Sequence, residues 1–178
     1  MIGNIAAGIY GTGAPPIPPS SYESIATATV GSGGTPYIDF TSIPSGYKHL
    51  QIRASYTTNT AATNLYLTMN GSTNSTYYHY LIGDGAVTGG GTTGNLFTIQ
   101  WGNTFNNRYG LITDILDYGS TTKNKVIRTL GGIDNNGTGG VYLGSNLYST
   151  TSAITSIRIG ASVNLSQYSS FALYGIKD

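Results

Sequence analysis

Residues Lys48–Tyr56, KHLQIRASY, decide how this chain is to be read. Leu50, Ile52, Ala54 and Tyr56 fall on one side of an extended backbone, and His49, Gln51, Arg53 and Ser55 fall on the other. That is the pattern of a half-buried β-strand. Asn64–Gly71, NLYLTMNG, repeats it with Leu65, Leu67 and Met69 inward and closes on the turn dipeptide Asn70-Gly71. On the other side, SIATATV (24–30), the turn GSGGTP (31–36) and YIDFTSI (37–43) give strand, turn and strand, with Ile38 and Phe40 opposed to Asp39.

The same scheme continues to the end. Strands are expected at TYYHYLIG (76–83), NLFTIQWG (95–102), RYGLITDIL (108–116), KVIRTLGG (125–132), GVYLGSNLYS (140–149), ITSIRIGAS (154–162) and SSFALYGI (169–176). Turns rich in Gly or Asn separate them, at GDGAVTGGGTTGN (83–95), YGSTTKN (118–124) and DNNGTGG (134–140). In the last strand Phe171, Leu173 and Gly175 share one face and Ala172, Tyr174 and Ile176 the other; both can be covered, which predicts an inner strand. About ten evenly spaced strands without a helical period predict an all-β fold, an antiparallel β-sandwich with a jelly roll as the expected plan. No internal repeat marks a propeller or β-helix.

Composition supports a folded β domain over disorder. Only 8% of the 178 residues are charged, yet 39% are apolar and these are arranged in alternating runs. Eight Lys and Arg balance seven Asp and Glu, which leaves no basic footprint for nucleic acid. Without cysteine there is no disulfide framework or thiolate site. No run approaches the length of a membrane helix, and the N-terminus lacks a basic flank and apolar core of signal type, so neither membrane insertion nor Sec export is expected. The triplets at Asn70, Asn74, Asn136 and Asn164 fit chance in a chain this rich in Asn, Ser and Thr.

Residues 1–21 differ from the rest. Pro15, Pro16, Pro18 and Pro19 favour an extended polyproline course, and ahead of them Ile2, Ile5, Ile9 and Tyr10 are apolar on a segment too short to bury them. The expected organisation is an extended N-terminal arm, 1–21, and a β-sandwich domain, 22–178, with the arm read either as a loose terminus or as a segment that docks on a neighbouring subunit or particle.

Catalytic chemistry finds little to work with. His49 lies on the outward face of its strand and reads as a surface or interface histidine; His79 sits among Tyr77, Tyr78 and Tyr80 as part of an aromatic cluster. Asp114 and Asp117 are the nearest carboxylate pair, but a spacing of three on a strand sends them to opposite faces. Glu23, the only glutamate, stands at the base of the arm, and the loop from Asp134 lacks the later acidic ligands of a calcium loop. No nucleophile elbow, phosphate loop or dinucleotide fingerprint is present. The expectation is a protein without catalytic residues, metal or cofactor. Trp101 with Tyr77, Tyr78 and Tyr80 could stack against sugars, or could serve core or interface packing.

Three blocks carry a resemblance: YESIATATVGSGGTPYIDFTSIPSGYKHLQIRASY (22–56), LTMNGSTNSTYYHYLIGDG (67–85) and ITSIRIGASVNLSQYSSFALYGIKD (154–178). They resemble a family of small virion structural proteins of tailed bacteriophages, over about Tyr22 to Asp178. The resemblance implies a β-sandwich subunit displayed on the virion and assembled in the bacterial host cytoplasm. It implies a capsid decoration or cement protein, or alternatively a tail or fibre subunit that recognises host-surface polysaccharide. The partners expected are further copies of the chain, as a homotrimer, together with the major capsid protein or other virion proteins and possible host glycan; no nucleic acid or membrane partner is expected.

Overall fold

The computed structural model describes residues 20–60, 64–72, 107–134, 136–137 and 139–177, and through their backbone pairing 75–82, 87–91 and 96–100. Twelve strands lie among them. They are β1 (Tyr22–Thr29), β2 (Thr35–Phe40), β3 (His49–Tyr56), β4 (Asn64–Met69), β5 (Ser75–Ile82) and β6 (Val87–Gly91), then β7 (Leu96–Gln100), β8 (Tyr109–Ile115), β9 (Lys125–Asp134), β10 (Gly139–Tyr148), β11 (Ile157–Leu165) and β12 (Ser170–Ile176). The fold is all-β, with two antiparallel sheets in a sandwich-like arrangement. The larger sheet runs β1-β12-β3-β8-β9-β10-β5-β6 and the smaller β2-β11-β4-β7.

The alternation seen in the sequence is what builds the core. Leu50, Ile52 and Tyr56 of β3, Leu111 and Ile115 of β8, Ile127 and Ile133 of β9, and Phe171 and Leu173 of β12 point inward from the large sheet. Phe40, Leu65, Leu67, Met69, Ile157 and Ile159 join the same buried cluster from the small one. Each such side chain stabilises the fold by roughly 1.5–3 kcal/mol when fully buried. The ring of Tyr56 stacks on Tyr109 at 5.2 Å and on Phe171 at 5.9 Å, tying β3 to its neighbours on either side. Burial drives the Tyr56 phenol far above its ordinary pKa and pushes Tyr109 up to about 12.

β12 is an inner strand, paired on one side with β1 and on the other with β3. Its outward residues Ala172, Tyr174 and Ile176 are half-buried. Inward, Gly175 lies under the ring of Tyr47, so closely that a methyl group there would overlap the ring; only glycine allows this approach.

Two features hold loops to this body. Asn70 and Gly71 both take positive φ, 51° and 71°, and turn the chain between Met69 and Ser72 as the Asn-Gly pair predicts. The Asn70 side chain then reaches across to the segment before β11, accepting from the amides of Thr155 (2.8 Å) and Ser156 (3.2 Å) and donating to the Ala153 carbonyl (2.8 Å). Its amide nitrogen is thus committed to the fold. Lys125, with no exposed surface, donates from Nζ to the carbonyls of Ser120 (2.5 Å), Lys123 (3.0 Å) and Thr150 (3.3 Å).

One expectation is corrected. The stretch 83–95 was expected to be a turn, yet Val87–Gly91 forms β6, with Gly89, Gly90 and Gly91 opposite Tyr80, His79 and Tyr78 of β5. Glycine weakens a strand by itself, so this one is set by its partner.

Candidate functional site

The outer face of the large sheet divides into a polar half and an apolar half. Because the inward residues of β3 and β8 are locked in the core, Gln51, Arg53 and Asp114 are turned outward. Arg53 Nε donates to Gln51 Oε1 at 2.7 Å, and Gln51 Nε2 donates to Asp114 Oδ1 at 2.8 Å. Arg128 on β9 approaches the other Asp114 oxygen at 3.8 Å. At its far end the Arg53 guanidinium lies over the rings of Tyr174 (4.8 Å) and Tyr22 (5.1 Å). This network spans β1, β12, β3, β8 and β9, and it leaves Gln51 buried on a face that should be open.

Beside that network the face changes character. β9 buries Lys125, Ile127, Thr129 and Ile133, which forces Val126, Arg128 and Leu130 outward. Among the described residues the exposed large aliphatic side chains are Ile112, Val126, Leu130, Val141 and Leu143, and all five share this outer face of β8, β9 and β10. Ile112 stands opposite Leu130, and Leu130 opposite Leu143, so they form one cross-strand row. Val141 adjoins the row along β10, and these four are 43–54% exposed. Solvated sheet faces normally carry polar residues at such positions.

The small sheet presents a different surface. Arg158 on β11 makes a two-point pair with Asp39 on β2, Nε to Oδ1 at 2.7 Å and Nη2 to Oδ2 at 2.8 Å. Its guanidinium sits 3.8 Å from the Tyr37 ring centroid. The ring of Tyr66 lies across Gly160 between these elements. A cleft of about 280 Å³ opens beside the pair, lined in part by Asp39, Thr41, Thr68, Ser156 and Arg158. The hydrogen bond from Arg158 holds the Asp39 carboxyl below its ordinary pKa.

The residues singled out from sequence are not brought together. His49 Nδ1 accepts the backbone N–H of Asp117 at 2.9 Å and so caps the turn after β8. No group of three or more His, Cys, Asp or Glu suited to a metal occurs among the described residues. Asp114 belongs to the Gln51 and Arg128 network, whereas Asp117 approaches Lys123 at 3.8 Å. Glu23 is paired with Lys177 at 2.5 Å. Asp134 Oδ1 accepts the Asn136 amide at 2.9 Å and so stabilises its own turn. Tyr77, Tyr78, His79 and Tyr80 run along β5, of which the backbone pairing alone is described. Trp101 and the arm residues Ile2, Ile5, Ile9, Tyr10, Pro15, Pro16, Pro18 and Pro19 lie outside the described residues.

Sequence reasoning passed over Ile112, Leu130, Val141 and Leu143. Their signal was available: in β9 and β10 both alternate faces carry large apolar residues, while in β3 only one does. The pairing of Arg158 with Asp39 had no local signal, because 119 residues separate them. No family model, curated protein or solved structure matches the chain.

Proposed function

We propose that this chain is a structural subunit of a tailed-phage virion, a decoration or cement protein that binds the particle and other copies of itself, as a homotrimer, and acts by contact without turnover. The observation that carries the reading is the apolar outer face of β8, β9 and β10, which is unusual on a sheet side turned to water and suits a subunit held among neighbours. The resemblance of residues 22–178 to small virion proteins points the same way.

Strand order supports a jelly roll as the architecture. Setting aside the hairpins β5–β6 and β9–β10 leaves four strands in each sheet, β1-β12-β3-β8 and β2-β11-β4-β7. Within them the first strand pairs with the last, the second with the next to last, and so on inward, which is the wrapping of a long antiparallel hairpin into two sheets. Residues 1–21, with their apolar Ile2, Ile5, Ile9 and Tyr10, supply the proposed attachment arm.

One observation favours the alternative of a tail or fibre subunit that binds host polysaccharide. The cleft beside Asp39 and Arg158 combines a fixed charged pair, the hydroxyls of Thr41, Thr68 and Ser156 and the adjacent Tyr37 ring, a chemistry suited to sugar hydroxyls. Immunogold labelling of intact particles with an antibody to this chain separates the two. Label over the head is the expected result; label confined to the tail tip would replace the decoration reading with the polysaccharide one, and unlabelled particles would end both.

A further inference from the structure

We infer that the face formed by Ile112, Leu130, Leu143 and Val141 is the seat of a second copy of this chain. The inference rests on the self-association proposed above and adds to it a two-fold contact, which would join a copy in one trimer to a copy in the next. These side chains are contiguous by register: Ile112, Leu130 and Leu143 stand abreast on adjacent strands, and Val141 is diagonal to Leu130. With Val126 nearby, these half-exposed side chains present on the order of 400 Å² of aliphatic surface, at the size where a patch marks an interaction site.

Two arguments choose the occupant. The first is area. A standard protein interface covers roughly 800 Å² per partner, a little over half of it non-polar. This face supplies that apolar share with a polar border beside it, so a contact of copy on copy needs no further hydrophobic surface.

The second argument is charge. Bordering the apolar row stand one cation and one anion, Arg128 and Asp114, 3.8 Å apart and with side chains 57% and 29% exposed. Such a border is complementary to itself, since a copy turned about a two-fold axis can set its Arg128 against the first copy's Asp114 and the reverse. A partner of a single charge sign, such as a nucleic acid or an acidic peptide, would leave one of the two facing a like charge. Aliphatic side chains also offer no stacking face to a sugar. With a formal net charge of +1, the overall repulsion between two copies is small.

The test is sedimentation analysis of the full chain, wild type against Leu130→Asp and Arg128→Asp. The wild type is expected to sediment as two or more copies. Leu130→Asp is expected to weaken association by tenfold or more, with the far-UV circular dichroism and cooperative melting unchanged, because the position lies outside the core. Arg128→Asp is expected to weaken it as well, and Arg128→Asp with Asp114→Arg to restore it. A wild-type chain that sediments as one copy would overturn both this inference and the self-association it rests on. An assembled wild type whose mass Leu130→Asp leaves unchanged would overturn this inference alone and move the contact elsewhere.

Discussion

Thr113 and Thr129 stand directly opposite each other on β8 and β9, both fully buried, with 2.8 Å between their hydroxyl oxygens. They form a polar pair in the interior, and each gives the other a hydrogen-bond partner. Thr113→Val keeps the shape and leaves the Thr129 hydroxyl without this partner, at an expected cost of about 1–3 kcal/mol. Replacing both by Val removes both polar groups and should cost less than the sum of the single changes. Urea unfolding of the four proteins in a double-mutant cycle measures this; strictly additive losses would mean that the two hydroxyls do not depend on each other.

Asn70 combines a backbone conformation with a tertiary latch, and the two can be separated. Asn70→Gly keeps the positive φ without strain and removes the bonds to Ala153, Thr155 and Ser156. The expected loss is about 2 kcal/mol, with faster hydrogen exchange at the Thr155 and Ser156 amides. Unchanged melting and exchange would assign the turn to Gly71 and the backbone alone.

Lys125 carries the only buried ammonium among the described residues, held by three carbonyls. Burial pushes its pKa below the ordinary lysine value, while the Asp117 carboxylate pulls it up. Lys125→Met fills the same space and strips the Ser120, Lys123 and Thr150 carbonyls of this donor. It should destabilise the chain by about 2 kcal/mol and make residues 117–124 more susceptible to limited proteolysis. Equal denaturant midpoints would show that dehydrating the ammonium costs as much as its three bonds return.

Acid should find the small sheet through Asp39. Its carboxyl has a lower pKa in the folded chain than the ordinary 3.8, chiefly because Arg158 donates to it. The unfolded chain therefore takes up this proton first as the pH falls. The contribution is complete above pH 3.8 and is lost as the pH drops through the lower folded value. With both side chains more than a third exposed, it amounts to less than about 1 kcal/mol. Asp39→Asn should flatten that part of the stability profile; an unaltered acid limb would mean the pair is matched equally well by water.

Alternation was enough to locate the strands that bury one face, because Leu50, Ile52 and Tyr56, or Leu65, Leu67 and Met69, can be read two residues apart. It failed at β6, where Val-Thr-Gly-Gly-Gly has no local strand preference and extends only through its pairing with β5. It also could not give the sheet order, since partners such as Tyr22 and Ile176 meet from opposite ends of the described chain. The apolar outer face was written in Leu130 and Leu143 but becomes visible only once registers place them side by side. Charge pairing across the small sheet depended on the same long-range information.

The position of β12 between β1 and β3 also sets a timetable for folding. As the chain leaves the ribosome, β1 and β3 emerge early with a one-strand gap between them that no intervening segment fills. The large sheet can become continuous only after residues 170–176 arrive, so β1 cannot be joined to β3 by the first half alone. Until then β1 and β3 have open edges, and pairing with another nascent chain competes with completion. Slow folding, and sensitivity to crowding among chains that still lack β12, follow from where one strand is placed.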